Sequence, residues 1–137
     1  MKNLGIELKG SDCILVVLEY SNSNFNIINT SPKIPIDNSD NQDEIKEFFS
    51  NISSFVKENN IDNIYIRKRN KKGQYAGGAT GFKLEALIQL LENNVKLISP
   101  TSVAYTIKKI DIKNLEKQVN QYQIEALKVA ITGTLKK

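Results

Sequence analysis

Histidine and tryptophan are both absent from these 137 residues, and cysteine occurs once. Without histidine, Ser-His-Asp and Cys-His catalysis within the chain is excluded, as are the usual histidine zinc sites. The single Cys13 has no partner for an internal disulfide. It adjoins the apolar run Ile14-Leu15-Val16-Val17-Leu18, which favours a buried, inert thiol over a reactive one. One cysteine also suits a reducing compartment. No stretch approaches the roughly 18 apolar residues that a membrane span needs. Glu7, Lys9 and Asp12 interrupt the opening segment too early for a secretory signal. The expectation is a cytoplasmic protein with no membrane association. Neither an internal repeat nor a low-complexity tail is present.

Hydrophobic residues make up 40% and charged residues 25% of the chain, enough for one domain over residues 1–137 to bury a core without staples. The 19 basic and 15 acidic residues leave a net charge of +4. That excess is compatible with nucleic-acid contact but too small to establish it.

Alternation of Leu4, Ile6 and Leu8 predicts a first strand over 3–9, with Glu7 on its other face. Lys9-Gly10-Ser11-Asp12 reads as a turn. The apolar run 13–20 predicts a central strand, Ser21-Asn22-Ser23-Asn24 a hairpin turn, and 25–30 a third strand. Residues 31–41, with Pro32 and Pro35, read as a loop. Ile45, Phe48, Phe49, Ile52, Phe55 and Val56 fall on one helical stripe within 40–60, with Ser39 or Asp40 as its cap. A strand at 62–67, a helix from Gly81 or Phe82 to Asn93, a strand at 95–99, a short helix over 101–109 and a last helix over 122–134 complete the order. Three strands followed by alternating helices and strands predict an α/β fold. Its mixed sheet would have five strands, an antiparallel 1-2-3 meander and then parallel strands 4 and 5, with flanking helices. By element order this is the ribonuclease-H-like architecture.

Three segments carry a more specific likeness. Gly5-Ile6-Glu7-Leu8-Lys9-Gly10-Ser11 resembles the first-strand Gly-Ile-Asp-Pro-Gly-Ser of RuvC-like resolvases, with Glu for Asp and one extra residue. Val95 to Val103, followed by Lys108-Lys109, resembles their fifth strand and the lysine-bearing helix after it. Glu125-Ala126-Leu127 resembles their Asp-Ala-Leu in the last helix. Gly5 to Gly10, Gly73 to Ala86 and Leu97 to Thr101 together look like the small bacterial family DUF3010, which supports the fold and carries no activity.

The resolvase resemblance implies a set of carboxylates holding two divalent cations, Mg or Mn, for phosphodiester hydrolysis. Glu7 and Glu125 match two of these acids and would be both catalytic residues and metal ligands. The fourth strand should end on another acid, but Arg67, Lys68 and Arg69 stand there, and a cation repels the metals it would have to bind. Glu85 is the candidate substitute, with Asp111 as the other. Each acid has a plainer reading: Glu7 as a solvated residue or an ion-pair partner of Arg67 or Lys9, and Glu125 as ordinary surface.

Arg67, Lys68, Arg69, Lys71 and Lys72 place five cations within six positions, leading into Gly73, Gly77, Gly78 and Gly81 before a helix. Such a run is either a solvated loop or an anion cradle, in which glycines let backbone amides approach a phosphate. The glycines match neither common nucleotide-binding spacing and equally suit close packing on the sheet. Tyr75 lies among them as a candidate base-stacking residue. The expected nucleic-acid-binding set is Lys9, Arg67, Lys68, Arg69, Lys71, Lys72, Tyr75, Gly77, Gly78, Lys83, Lys108 and Lys109.

The reading that follows is a nucleic-acid-binding protein with an incomplete catalytic acid cluster. The alternative is an active Mg- or Mn-dependent, structure-specific endonuclease. A third is a protein–protein adaptor or a single-lobed relative of actin-like ATPases, whose phosphate-binding hairpin the Gly5–Ser11 segment also resembles. The resolvase likeness also implies pairing of two copies as a homodimer.

Overall fold

The structure is a computed structural model, and it describes residues 1–28, 33–69 and 78–136. Strand β1 spans Lys2–Lys9, β2 Asp12–Ser21, β3 Asn24–Ile27, β4 Lys33–Pro35, β5 Asn63–Arg67 and β6 Asn94–Ile98. Helix α1 spans Gln42–Glu58, α2 Ala79–Gln89, α3 Pro100–Ile107, α4 Lys113–Glu116 and α5 Ile124–Leu135. A 3-10 turn, Gln121–Gln123, leads into α5.

One mixed sheet runs β3-β2-β1-β5-β6, with β4 also paired to β2. β1, β2 and β3 are antiparallel neighbours, joined between β2 and β3 by a two-residue turn in which Asn22 and Ser23 both take positive φ. β5 runs parallel to β1, and β6 parallel to β5. The expected meander and parallel pair are therefore present. Among the described residues the strand count is six rather than five, because Lys33–Pro35 pairs with Asp12–Ile14 inside the segment expected to be a loop. It has only three residues, follows Pro32 and ends on Pro35, which hides it from a periodicity reading.

Both sheet faces are covered. On one face Leu4, Ile6, Leu8, Leu15, Val17, Ile64 and Ile66 pack with Phe48 and Ile52 of α1 and Leu84 and Ile88 of α2. On the other, Ile14, Val16 and Leu18 pack beneath Ala126, Leu127, Ala130 and Ile131 of α5. Tyr65 and Ile98 continue that second face, meeting Val103 of α3 and Val129 of α5. The cap of α1 is Asn41, whose side chain accepts a hydrogen bond from the Glu44 amide at 3.1 Å, rather than Ser39 or Asp40. Ser99 caps α3 in the same way, with Pro100 next to it. Cys13 is fully buried, and burial pushes its thiol pKa upward, as the inert reading expects. Among the described residues no helix is long and apolar enough to cross a membrane.

Gly5 sets the distance between sheet and last helix. A Cβ there would run into the Ala126 carbonyl oxygen and lie 2.7 Å from the Ala130 Cβ. Gly5→Ala should therefore destabilise the fold by about 2–3 kcal/mol, the usual cost of forcing an extra group into a packed core. Urea unfolding measures this. An unchanged midpoint would mean that α5 is free to retreat.

Candidate functional site

Strand alternation places Asn3, Gly5, Glu7 and Lys9 on the α5 side of β1. The parallel register pairs Gly5 with Tyr65 and Ile6 with Ile66, so Arg67 stands beside Glu7 one step beyond the last paired residues. Its own partner on β6 is Ile98. Glu125 lies in the first turn of α5, directly above this end of the sheet because Gly5 lets the helix descend there. Arg67 Nε approaches Glu125 Oε1 at 3.6 Å, and Lys128 Nζ approaches Glu125 Oε2 at 3.6 Å. A cleft of about 280 Å³ opens beside them, lined by Arg67, Val103, Ala104, Lys108, Glu125 and Lys128 among others.

Glu7 is half-buried and within electrostatic reach of Arg67 and Glu125. Burial raises its carboxyl pKa above the ordinary value, while the Arg67 guanidinium pulls it down. The nearby Glu125 charge raises it again, and Lys9 and Arg69 lower it. Two acids that lie 118 positions apart in sequence thus share one electrostatic neighbourhood with three cations.

The other predicted residues divide. Lys108 reaches the cleft. Lys109 folds over the Tyr105 ring at 3.8 Å. Lys68 is exposed, and its amide donates to the Ile98 carbonyl at 2.8 Å. Arg69 is committed to α2: its Nη1 donates to the Gly78 carbonyl at 3.4 Å, its guanidinium lies 5.0 Å from the Phe82 ring centroid, and it fills the space that a Cβ on Gly81 would take. The contact at Gly81 is with a side chain, not the close packing on the sheet that the glycines were expected to allow, and a Cβ on Gly78 would meet nothing within 4 Å. Gly78 is the N-cap of α2. Lys83 points away, donating to Ser39 O at 3.0 Å and Asp40 Oδ1 at 2.9 Å. Lys71, Lys72, Tyr75 and Gly77 lie outside the described residues.

Glu85 does not join the acids. It rides on α2, whose Leu84 and Ile88 pack on the opposite sheet face. It is buried, and its Oε1 has no hydrogen-bond partner among the described residues. A helix position three residues from an apolar neighbour in sequence gives no warning of which face of a sheet that helix covers. Asp111 is exposed and accepts from the Lys113 amide at 3.0 Å. Lys128 was missed by sequence reasoning, although its spacing of three from Glu125 on a helix was a usable signal.

Among the described residues no group of three or more Asp, Glu, Cys or His could hold a metal ion. The donors present do not fit the paired divalent cations that the resolvase likeness implies. Two carboxylates remain, and Arg67 with Lys128 already neutralises one of them.

A family model matches residues 1–133, described as protein of unknown function, DUF3010. The chain belongs to the DUF3010 family. No curated protein matches it. Among solved structures, this DUF3010 chain is similar to Thermus thermophilus RuvC, with a TM-score of 0.76 at 8% identity over 98% of this chain and 93% of that one. It is similar to T. thermophilus RuvC in complex with Holliday junction substrate, at 0.73, 10%, 98% and 93%. It also resembles the Fowlpox virus resolvase in complex with substrate Holliday junction DNA, at 0.59, 12%, 100% and 100%. At these identities the likeness establishes the ribonuclease-H-like fold of this DUF3010 protein, and its chemistry has to come from its own side chains.

Two outcomes follow from the site's electrostatics. Between the ordinary carboxylate value and Glu7's raised one, the folded chain keeps a proton that the unfolded chain has released, so Glu7 lowers stability as pH rises through that window. Glu7→Gln should therefore match the native chain at pH 4 and melt about 2 °C higher at pH 7–8. A lower melting temperature at pH 7 would make Glu7 a structural partner of Arg67 instead. Arg67→Glu should create the missing cation site. Millimolar Mn²⁺ should then raise the variant's melting temperature by about 3 °C or more while leaving the native chain within about 1 °C. Equal shifts in both would sink that reading.

Proposed function

We propose that this protein binds nucleic acid through phosphate contacts at the carboxyl end of β1, β5 and β6, and does not cleave it. The observation that carries the reading is Arg67. It occupies the strand-end position where a two-metal nuclease needs an acid, and it grips the one acid on α5 that the sheet end could otherwise offer to a cation. Around it stand Lys9, Lys108 and Lys128, so positive charges outnumber Glu7 and Glu125. The two ion pairs of Glu125 are partly exposed and each worth at most about 1 kcal/mol. An incoming phosphate can therefore exchange with that carboxylate at small cost. The RuvC-like fold supports the same reading, since two of its neighbours are described as complexes with junction DNA.

The convergence of Glu7 and Glu125 favours the alternative, a Mg- or Mn-dependent structure-specific endonuclease, and the same experiment separates the two. Fluorescence anisotropy with single-stranded, duplex and four-way-junction substrates at low salt should show binding that weakens steeply as salt rises. Replacing Arg67, Lys108 and Lys128 together by Gln should weaken binding about tenfold or more and flatten the salt dependence by roughly 2–3 in log–log slope. No substrate should be cut with Mg²⁺ or Mn²⁺. Cleavage that Glu7→Gln abolishes would replace this reading with the endonuclease. Absence of binding to every substrate would leave the adaptor alternative.

A further inference from the structure

Tyr105 is 57% exposed, although an aromatic ring gains more than most side chains from burial. Helix α3 is held to the core by Val103, with Ile107 packed beside it, and Tyr105 is not part of that cluster. Two ammonium groups instead lie over its ring, Lys109 Nζ at 3.8 Å and Lys108 Nζ at 5.7 Å from the centroid. Spacings of three and four residues bring both lysines to the tyrosine's side of the helix. The chain neighbours of the ring connect it to the site already described, because Ala104 and Lys108 line the cleft with Arg67, Glu125 and Lys128. By contrast Tyr122, 36% exposed, carries one nearby cation, Lys33 at 5.1 Å, and does not line that cleft.

We propose that Tyr105, flanked by Lys108 and Lys109, is a stacking platform for an unpaired base, so that this protein prefers nucleic acid carrying a single-stranded stretch beside duplex. The inference rests on the nucleic-acid reading above and gives it a substrate class. A base in a continuous duplex has both faces covered by its neighbours, so only an unpaired nucleotide can present a free face to the ring. Stacking on an aromatic ring tolerates any base, because each has a π-face. A base that stacks on the face covered by Lys109 displaces its ammonium toward the flanking phosphate, and Lys108 continues the cationic path to the cleft lined by Arg67 and Lys128. Sequence-tolerant stacking next to a cationic channel is the usual pattern of single-strand recognition.

The test compares a duplex interrupted by a short single-stranded gap with a continuous duplex of the same length, using the full chain. A 2-aminopurine placed in the gap reports stacking through quenching. The native protein and Tyr105→Phe should bind the gapped substrate more tightly than the continuous one and quench the probe. Tyr105→Ala should lose about tenfold in affinity for the gapped substrate, lose the quenching, and stay within about twofold on the continuous duplex. Equal losses on both substrates, or no loss on either, overturn the platform while leaving the phosphate-binding reading intact. Failure of the native protein to bind either substrate overturns both.

Discussion

Helix α5 lies across the middle of the sheet because position 5 carries no side chain, and the site exists because α5 lies there. With a Cβ at Gly5 the helix would meet its own path at the Ala126 carbonyl and at Ala130. A second close approach holds the helix's far end: Gly133 rests on the ring of Tyr65, which a Cβ would enter. Between these contacts Leu127, Ala130 and Ile131 are fully buried against β2. The buried polar bonds are compatible with the same seating. Asn3 Nδ2 donates to Thr134 Oγ1 at 2.7 Å and Gln123 Nε2 to the Leu15 carbonyl at 2.8 Å, tying both ends of α5 to β1 and β2. Glu125 therefore has little freedom to be anywhere except over the ends of β1 and β5. A small side chain on a strand thus decides where a carboxylate on a distant helix stands.

The charges gathered by that geometry do not balance as a metal site does. Glu7 costs the fold something by being half-buried, and the nearby guanidinium only partly offsets it, which is why its pKa stays raised. Glu125 is shared between Arg67 and Lys128 at equal 3.6 Å distances. Both oxygens of Glu125 face cations, so that carboxylate lacks the free pair that a second acid at position 67 would complement around a divalent ion. The cluster is better described as two acids that hold several cations in a fixed array. Acids in that role keep guanidinium and ammonium groups ordered and spaced.

Much of this was legible from residue order alone, and the exceptions have identifiable causes. The alternation of Leu4, Ile6 and Leu8 placed Glu7 on the opposite face, and the apolar stripe from Ile45 to Val56 gave α1 to within two residues at each end. Strand β4 was hidden because three residues, one of them Pro35, are too few to show a period, and only their pairing with Asp12–Ile14 makes them a strand. Helix α4 was hidden because none of its four residues is buried. At the site, Glu7, Arg67 and Glu125 could be brought together because strand parity and element order fix the end of the sheet at which each sits. Glu85 could not be placed that way. Its side depends on which face the crossover from β5 to β6 covers and on the helix's rotation about its axis, and neither is written in the local pattern. Lys83 looked like part of a basic patch in sequence, yet Asp40, exposed in the turn before α1, captures it at 2.9 Å and has its own pKa lowered in return.

Topology explains why a site forms at this end whatever its chemistry. β1, β5 and β6 are parallel, so their carboxyl ends lie side by side. After β5 the chain leaves for α2 on one face, while after β6 it leaves for α3 on the other. Where successive crossovers part to opposite faces, a crevice opens beyond the strand ends, and ligands of α/β proteins collect in such crevices. The location is a property of the topology, and the same fold occurs in structures of very different sequence. The sign of what the crevice attracts is a property of single residues at the strand ends. An acid after Ile66 would aim two strands and a helix at a divalent cation. Arginine at that place repels the cation, claims Glu125 and leaves the crevice with a cationic wall extended by Lys108 and Lys128. One charge at one strand end thus decides the sign of the potential in this crevice, with every element of the scaffold unchanged.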